Sequence, residues 1–294
     1  MIRFALIGDM GTGDDNQYRV AKSLKKIIDR DNLQFVCGMG DNIYDCGVVA
    51  VDDIQFKNKF EKPYQKIDNK IKFYMTLGNH DYGEHYCKCE IEDREHFQVK
   101  YGKLSQKQGK KWYMPSRYYT FKKGDVEFFA LDANVDKQTK KEIDDQIKYM
   151  KPKIEKSTAK WKIAFGHQPW VSIGDHGNAP KKFNKYFSEL FSEGYIDIYI
   201  CGDDHNKQLI EKTLKNGKKM LLAVCGTGGR ETDKPYNLEN VDSSNDDLHY
   251  FSSTYGVGEV IIENDTLTIT FFDTRSKVEY KYSTNKLTEK LTNK

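Results

Sequence analysis

The stretch IRFALIGDMG, residues 2–11, is an apolar run that ends in Gly8 and Asp9. A run of this length that stops at glycine and a charge predicts a buried β-strand followed by a turn. The pattern returns along the chain, where apolar runs end in GDN at 40–42, GNHD at 78–81, GHQP at 166–169 and GDDH at 202–205. Each of these predicted strands therefore delivers a glycine followed by a carboxylate, an amide or an imidazole.

Helical periodicity lies between the predicted strands. Apolar residues recur with the spacing of one helix face at Val20, Leu24, Ile27 and Ile28, through 139–156, and at Phe183, Phe187, Leu190 and Phe191. Further strands are predicted near 34–38, 71–77, 117–121, 125–131, 162–166, 196–201 and 219–224, with a hairpin that joins Val257–Glu263 to Leu267–Phe272. Helices alternating with strands predict a layered α/β fold. The polar segments 84–112 and 230–254 are predicted to be long surface loops.

The composition is that of a soluble globular protein, and we expect a single domain over residues 1–294. Hydrophobic residues make up 38% and charged residues 31% of the chain. No apolar run reaches the about 18 residues of a membrane-spanning helix. The formal net charge of +3 is too small to indicate binding to nucleic acid or to an anionic membrane. Because charge follows the first apolar run at once, no signal peptide is predicted, so the expected location is cytoplasmic, or secreted or lysosomal if an export signal precedes this sequence.

The cysteines fall into two groups. Cys37, Cys201 and Cys225 lie in apolar runs, whereas Cys46, Cys87 and Cys89 lie in polar segments. Three loop cysteines cannot all pair with each other, so reduced cysteines are the default expectation, and a single bridge from Cys46 to Cys87 or Cys89 remains open. A zinc site built from His85 and these cysteines is disfavoured, because the alternating spacing differs from the usual two-residue knuckle.

The polar groups at the strand ends are expected to meet, because the carboxyl ends of strands in an open α/β sheet line one crevice. A buried cluster of oxygens and nitrogens without many lysines or arginines is tolerable only if cations neutralise it. Asp, Asn and His side chains suit a first-row metal ion, and Tyr44 could supply a phenolate that favours Fe(III). Two ions about 3.5–4 Å apart could share Asp41 as a bridge. The sequence thus predicts a metal centre.

Single motifs support weaker interpretations. Asp9 alone would be read as a helix N-cap or turn residue, and Tyr44 alone as a packed aromatic. The glycines at 8, 11 and 13 do not have the G-x-G-x-x-G spacing of a dinucleotide-binding loop. Lysine pairs such as 110–111 and 181–182 are expected to form a solvated surface. Only the ordered set of strand-end motifs favours the metal centre.

That ordered set resembles the purple acid phosphatases of the small, tartrate-resistant type, within the calcineurin-like metallophosphoesterase superfamily. The resemblance extends from Asp9 to about Asp273 and includes SIGDHG at 172–177 and KWYMPS at 111–116. The superfamily usually has histidine two residues after its first aspartate, whereas this chain has Gly11 there and Tyr44 in its place, which is typical of the purple branch. The resemblance implies a four-layer α/β/β/α sandwich and hydrolysis of phosphate monoesters in a phosphorylated small molecule or a phosphoprotein.

The resemblance also implies roles for individual residues. The first metal would be Fe(III), held by Asp9, Asp41, Tyr44 and His205. The second would be Fe(II), Zn or Mn, held by Asp41, Asn79, His167 and position 203. His80 would stabilise the phosphate oxygens and His176 would help to protonate the leaving group. Asp81 and Asp204 are expected to orient neighbouring imidazoles.

Asp203 departs from the family pattern, which has histidine at this position. Its side chain is shorter than histidine and adds a negative charge. The second site should therefore favour a harder ion such as Mn or Mg, or bind metal weakly if the carboxylate does not reach it. Two alternatives to the phosphatase hypothesis remain open: a catalytically weak or inactive scaffold protein with the same fold, and a phosphodiesterase of the same superfamily.

Overall fold

The computed structural model describes residues 1–83, 87, 94–192, 195–232, 234–235, 237–241 and 246–286. The strands are β1 Ile2–Ile7, β2 Phe35–Met39, β3 Lys72–Thr76, β4 Trp112–Tyr113, β5 Tyr119–Lys123, β6 Val126–Ala130, β7 Trp161–Phe165, β8 Ile198–Cys201, β9 Lys207–Thr213, β10 Lys219–Cys225, β11 Asp246–Ser252, β12 Gly256–Glu263, β13 Thr266–Asp273 and β14 Val278–Asn285. The α-helices are α1 Asp15–Asp31, α2 Ile54–Phe56, α3 Asn79–Tyr82, α4 Arg94–Lys107, α5 Lys140–Lys156 and α6 Lys181–Ser192. A π-helical turn covers Lys57–Glu61, and 3₁₀ turns cover Val135–Lys137 and Leu238–Asn240.

The strands form two seven-stranded mixed sheets. The first has the order β14-β13-β12-β1-β2-β3-β4, and its β1, β2, β3 and β4 run parallel. The second has the order β11-β9-β10-β8-β7-β6-β5, and its β6, β7, β8 and β10 run parallel. Each sheet therefore collects the carboxyl ends of its parallel strands along one edge.

Three apolar clusters separate four layers. Alternation along β1 places Phe4 and Leu6 in the cluster between the sheets and Ala5 and Ile7 in the cluster beneath α1. The third cluster holds the apolar faces of α5 and α6 against the outer face of the second sheet. This arrangement confirms the predicted α/β/β/α sandwich.

Local signals explain where the main helices start. The Asp14 carboxylate accepts a hydrogen bond from the backbone N–H of Gln17 at 3.0 Å and so caps α1. Thr139 and Glu142 form a reciprocal capping box at the start of α5. Both helices lie where the apolar periodicity predicts them.

Two predicted surface loops are wrong in part. Residues 94–107 of the segment 84–112 form α4, and residues 246–252 of the segment 230–254 form β11. Helix α4 lacks an apolar stripe because it buries polar side chains such as Gln98 and Glu95. Strand β11 lies at the edge of its sheet and stays partly solvated, so its sequence is polar. Residues 84–86 and 88–93 lie outside the described residues.

The cysteines follow their predicted grouping, and Cys37, Cys201 and Cys225 are buried and free. Cys46 and Cys87 form a disulfide with their Cα atoms 5.8 Å apart. The default expectation of reduced cysteines is therefore wrong for this pair, because the fold brings the two loops together. Cys89 and His85 lie outside the described residues. Among the described helices, none combines the length and apolar composition needed to cross a bilayer.

Candidate metal centre

The polar strand ends of both sheets converge on one buried position. Asp9 and Asp41 follow β1 and β2, His167 follows β7, and ligand atoms of these three side chains lie within 4.8 Å of one another. The backbone bends sharply where the strands end, since Asp9, Asp41 and Asp203 have φ angles of 56°, 49° and 68°. These left-handed conformations are uncommon for residues other than glycine and turn the carboxylates into the crevice between the sheets.

Glycines let these carboxylates approach the neighbouring strand ends. A Cβ atom at Gly78 would lie 2.1 Å from Asp41 Oδ1, and one at Gly202 would lie 2.3 Å from Asp9 Oδ2. Both distances are far shorter than a van der Waals contact, so any side chain at either position would displace a carboxylate. The glycines before the polar residues are therefore part of the site geometry.

His167 is the centre of one half of the cluster. Its Nδ1 donates to the Met39 carbonyl at 2.8 Å, which leaves Nε2 facing inward. Nε2 lies 2.9 Å from Asn79 Oδ1, 3.2 Å from Asp203 Oδ1 and 3.5 Å from Asp41 Oδ1. With its proton on Nδ1, the neutral ring presents a lone pair to three oxygen atoms. The nitrogen lone pair and the three oxygen atoms repel one another unless a proton or a metal ion lies among them.

Tyr44 is the centre of the other half. Its hydroxyl donates to Asp9 Oδ1 at 3.0 Å and lies 3.2 Å from His205 Nε2. His205 Nε2 also lies 3.6 Å from Asp9 Oδ1. The Asp203 backbone N–H donates to Asp9 Oδ2 at 3.1 Å and ties this half to the first. All seven residues predicted as metal ligands are therefore gathered at one place.

The two predicted substrate-facing histidines lie at the rim. His80 is anchored by its backbone N–H to Asp41 Oδ1 at 3.0 Å, and its Nδ1 lies 2.6 Å from the Asp45 carbonyl. His176 reaches the rim from a loop, and its side chain is 46% exposed. The two imidazoles therefore border the cluster and come from two separate sequence motifs, GNHD at 78–81 and SIGDHG at 172–177.

Asp204 and Asp81 behave differently from each other. Asp204 Oδ1 accepts hydrogen bonds from the His176 backbone N–H at 2.7 Å and from Nδ1 at 3.2 Å, which agrees with its predicted orienting role. The expectation that Asp81 orients an imidazole is wrong, because its carboxylate accepts hydrogen bonds from the backbone N–H groups of Asn42, Ile43 and Gly78 and from the side chains of Asn42 and Gln98. Asp81 therefore fixes the loop after β2 against the loop after β3.

The charges of the cluster are coupled. Burial, supported by Asp41 and Asp203, raises the pKa of Asp9 well above its usual value despite the opposing effect of His167. Burial acts to lower the pKa of His167, but the carboxylates of Asp41 and Asp203 outweigh it and hold that pKa well above the usual range. Burial also raises the pKa of the Tyr44 hydroxyl. A site that binds protons this strongly has unbalanced negative charge, and the donor set of carboxylate, amide, imidazole and phenol atoms fits transition-metal ions.

The sequence matches the calcineurin-like phosphoesterase family model over residues 2–207. The chain belongs to the calcineurin-like phosphoesterases. Membership implies a dinuclear metal centre, and the match spans all the strand-end motifs described above.

Relatives place the chain near one branch of this family. It is 26% identical to purple acid phosphatase 4 of Arabidopsis thaliana, over 97% of this chain and 84% of the relative. It is 25% identical to human tartrate-resistant acid phosphatase type 5, over 95% of this chain and 90% of the relative. These relatives confirm the resemblance to purple acid phosphatases and support a phosphatase activity.

One solved structure that shares this fold comes from a protein described as an anchor. The structure titled "GAP50 the anchor in the inner membrane complex of Plasmodium" superposes with a TM-score of 0.80 at 24% identity, covering 97% of this chain and 88% of that chain. At this identity the likeness shows the fold alone.

Two groups that lie near the metal centre could not be identified from the sequence. Gln98 of α4 donates to Asp81 at 2.6 Å, and Arg230 lies with its guanidinium carbon 4.8 Å from the centre of the Tyr44 ring. Neither belongs to a strand-end motif. Gln98 lies in a polar segment without periodicity, and Arg230 lies far along the chain from Tyr44, so no local signal identifies either.

Proposed function

We propose that this protein is a metal-dependent phosphatase that hydrolyses phosphate monoesters at a dinuclear centre. The observation that carries the proposal is the inward face of His167, where Nε2 meets oxygen atoms of Asn79, Asp203 and Asp41 at 2.9–3.5 Å. A cation among these atoms resolves their repulsion. The family match and the purple acid phosphatase relatives support the same chemistry.

The proposed ligands divide into two sets that share Asp41. Asp9, Tyr44 and His205 would complete the first set, which suits Fe(III) because of the phenol oxygen. Asn79, His167 and Asp203 would complete the second set, which suits Fe(II), Zn or Mn. When bound, the two ions supply Lewis acidity that withdraws charge from the phosphoryl group.

The chain's own groups then orient the ester. His80, fixed through Nδ1 to the Asp45 carbonyl, turns Nε2 to within 3.9 Å of Asp41 Oδ2 and is proposed to bind a phosphate oxygen. The hydrogen bond that His176 donates to the Asp204 carboxylate raises the pKa of His176 to about 10, so this imidazole carries a proton at neutral pH. We assign His176 the role of donating that proton to the leaving oxygen.

Asp203 gives the second set its proposed metal preference. Its carboxylate reaches the cluster, since Oδ1 lies 3.2 Å from His167 Nε2. A second carboxylate beside Asp41 in this set adds negative charge where an imidazole would add none. The second site is therefore proposed to prefer Mn²⁺ over Zn²⁺ and to be a weaker Lewis acid than its counterpart with histidine.

The experiment compares p-nitrophenyl phosphate with bis-p-nitrophenyl phosphate as substrates of the Mn-loaded and Zn-loaded protein. We expect monoester hydrolysis to exceed diester hydrolysis and Asp203→His to raise the Zn-supported rate by about tenfold, which corresponds to about 1.4 kcal/mol. A faster diester rate would instead favour the phosphodiesterase alternative. Absence of hydrolysis in both the native protein and Asp203→His would refute the phosphatase proposal.

A second candidate function is a phosphatase-like scaffold. The specific observation in its favour is Asp203, which departs from the family pattern in a chain that superposes on a structure titled as an anchor. A scaffold would retain the fold and bind metal without turnover. If the protein is instead a phosphatase, as we propose, its substrate is a phosphorylated small molecule or a phosphoprotein.

A further inference from the structure

Arg230 is held at the rim of the centre by the loop that follows β10. Its backbone N–H donates to the Asp9 carbonyl at 3.1 Å, and the preceding Gly228 N–H donates to the Gly8 carbonyl at 3.0 Å. The loop therefore follows the turn that carries Asp9. This attachment fixes the origin of the Arg230 side chain relative to the metal centre.

The guanidinium of Arg230 contacts two residues of the loop after β2. Its central carbon lies 4.8 Å from the centre of the Tyr44 ring, and Nη1 donates to Asp45 Oδ1 at 2.9 Å. The Tyr44 ring in turn lies 4.6 Å from the His80 ring, centre to centre. Arg230 is thus a permanent positive charge against the same Tyr44 ring that packs near the imidazole proposed to bind the scissile phosphate.

Most of the donors of Arg230 remain available. The side chain is 39% exposed, and its partner Asp45 is 54% exposed. Within the described residues, Nε and Nη2 have no protein acceptor at hydrogen-bond distance. An exposed ion pair of this kind contributes little to stability, so a ligand anion can join or replace Asp45 at low cost.

The chemistry of this arrangement identifies what it would bind. A guanidinium presents its N–H groups in a planar fork that matches the oxygens of a carboxylate or phosphate. The scissile phosphate is proposed to lie over the metal ligands and His80, whereas the Arg230 guanidinium contacts the Tyr44 ring and the Asp45 carboxylate. An oxyanion bound by Arg230 would therefore be a different group of the same substrate.

We propose that Arg230 is a specificity-determining residue that binds a second anionic group, a phosphate or a carboxylate, on the substrate. The inference rests on the proposed phosphatase function and names its substrate class as phosphate monoesters with two separated oxyanions. Asp45 positions the guanidinium, and its carbonyl contacts His80 Nδ1, so the two anion-binding groups are held by one residue.

Matched substrates test this assignment. Glucose 6-phosphate has one phosphate, glucose 1,6-bisphosphate has a second one, and 3-phosphoglycerate has a carboxylate instead. We expect Arg230→Ala to raise KM for the bisphosphate and for 3-phosphoglycerate roughly 10–100-fold, the range of a hydrogen-bonded charged group, and to change KM for glucose 6-phosphate less than about twofold. Arg230→Lys should retain part of the preference, because it keeps the charge and loses the fork.

The control variant is Arg275→Ala, which removes an exposed arginine paired with Asp273. It should leave all three KM values unchanged. Equal losses on the three substrates in Arg230→Ala would overturn the assignment, since they would indicate an effect through Tyr44. Unchanged KM values would overturn it as well.

Calorimetric binding separates this inference from the proposed function. Metal-loaded native protein is expected to bind 3-phosphonopropionate, whose carboxylate is separated from the phosphonate, more tightly than methylphosphonate, and Arg230→Ala should abolish that preference. If the native protein hydrolyses no ester, the phosphatase proposal fails while the ratio of the two affinities still tests Arg230. A ratio that Arg230→Ala leaves unchanged would contradict the second anion site whether or not the protein is catalytic.

Discussion

The two halves of the centre are built at the same sheet edges but have different ligand sets. Asp9, Tyr44 and His205 are grouped within 3.0–3.6 Å, and each matches the purple acid phosphatase motif. The half around His167 is equally compact but has Asp203 where the family has histidine. The comparison teaches that the fold fixes the position of both ligand sets, whereas a single residue changes the charge of one of them and, in our proposal, its metal preference.

Asp41 is common to both halves, so its replacement should have the largest effect. We expect Asp41→Asn to release both ions and to lower kcat/KM by about 10³-fold or more, because the loss of metal-ion charge stabilisation is worth several kcal/mol. Metal content by mass spectrometry and hydrolysis of p-nitrophenyl phosphate measure the two effects.

The matched control is Asp144→Asn, which changes an exposed aspartate paired with Lys140 on α5. It should retain metal and activity. Loss of only one ion in Asp41→Asn would show that the halves do not share this carboxylate.

Tyr44→Phe should break the first half alone. The visible absorption of a tyrosinate bound to Fe(III) should disappear, and iron affinity should fall roughly 10–100-fold, while the second ion stays bound. Titration with iron, followed by absorption spectroscopy, checks both parts. Tyr64→Phe, which removes another buried tyrosine hydroxyl, should leave the spectrum unchanged. If the visible absorption band of the native protein is still present in Tyr44→Phe, the proposed ligand set is contradicted.

Asp204→Asn leaves both ligand sets intact and should have a smaller effect. The hydrogen bond that His176 donates to Asp204 raises the pKa of His176, so its loss should lower that pKa. The activity should then decline at a lower pH on the alkaline side, and kcat should fall about tenfold. The pH dependence of kcat measures this shift.

Ser172→Ala removes the hydroxyl that donates to Asp204 and leaves the carboxylate in place. It should shift the alkaline limb slightly to higher pH, because a carboxylate that loses a donor accepts more strongly from His176. An alkaline limb that stays in place in both variants would remove His176 from the proton-transfer step.

Glu259→Gln should have the smallest effect on activity, because Glu259 lies on β12 away from both halves. Burial, with Asp31 nearby, raises the pKa of Glu259 to about 7, and Oε1 has no hydrogen-bond partner among the described residues. The unfolded-state pKa is about 4.3, so the native protein loses stability as pH rises from there to about 7. Glu259→Gln should remove this dependence and be more stable by about 2 kcal/mol at pH 8.

Denaturant unfolding at pH 5 and pH 8 measures the difference. Glu263→Gln, at an exposed position of the same strand, is the control and should unfold like the native protein. Equal stabilities of the native protein and Glu259→Gln at pH 8 would show that this buried carboxylate carries no penalty.

Strand ends were the most predictable part of the molecule. An apolar run, a glycine and a polar residue are contiguous in the sequence, and parallel strands bring such ends together without further information. This is why Asp9, Asp41 and His167 could be predicted to meet. The helix stripe through Val20 and Leu24 is predictable for the same reason, since its signal is local.

Contacts between distant polar segments could not be predicted. Helix α4 buries polar side chains such as Gln98 beside its apolar ones, so periodicity does not reveal it. Arg230 reaches Asp45 across 185 positions of the chain. The Cys46–Cys87 bridge likewise depends on how two loops meet, which is why the sequence left two pairings open.

The most direct test of the metal centre is anomalous diffraction from crystals of the protein grown with iron and manganese, together with metal analysis of the same sample. We expect two ions per chain, with Asp41 between them and Tyr44 on the iron. A folded protein whose Asp9, Asp41 and His167 side chains enclose no ion under these conditions would contradict the account.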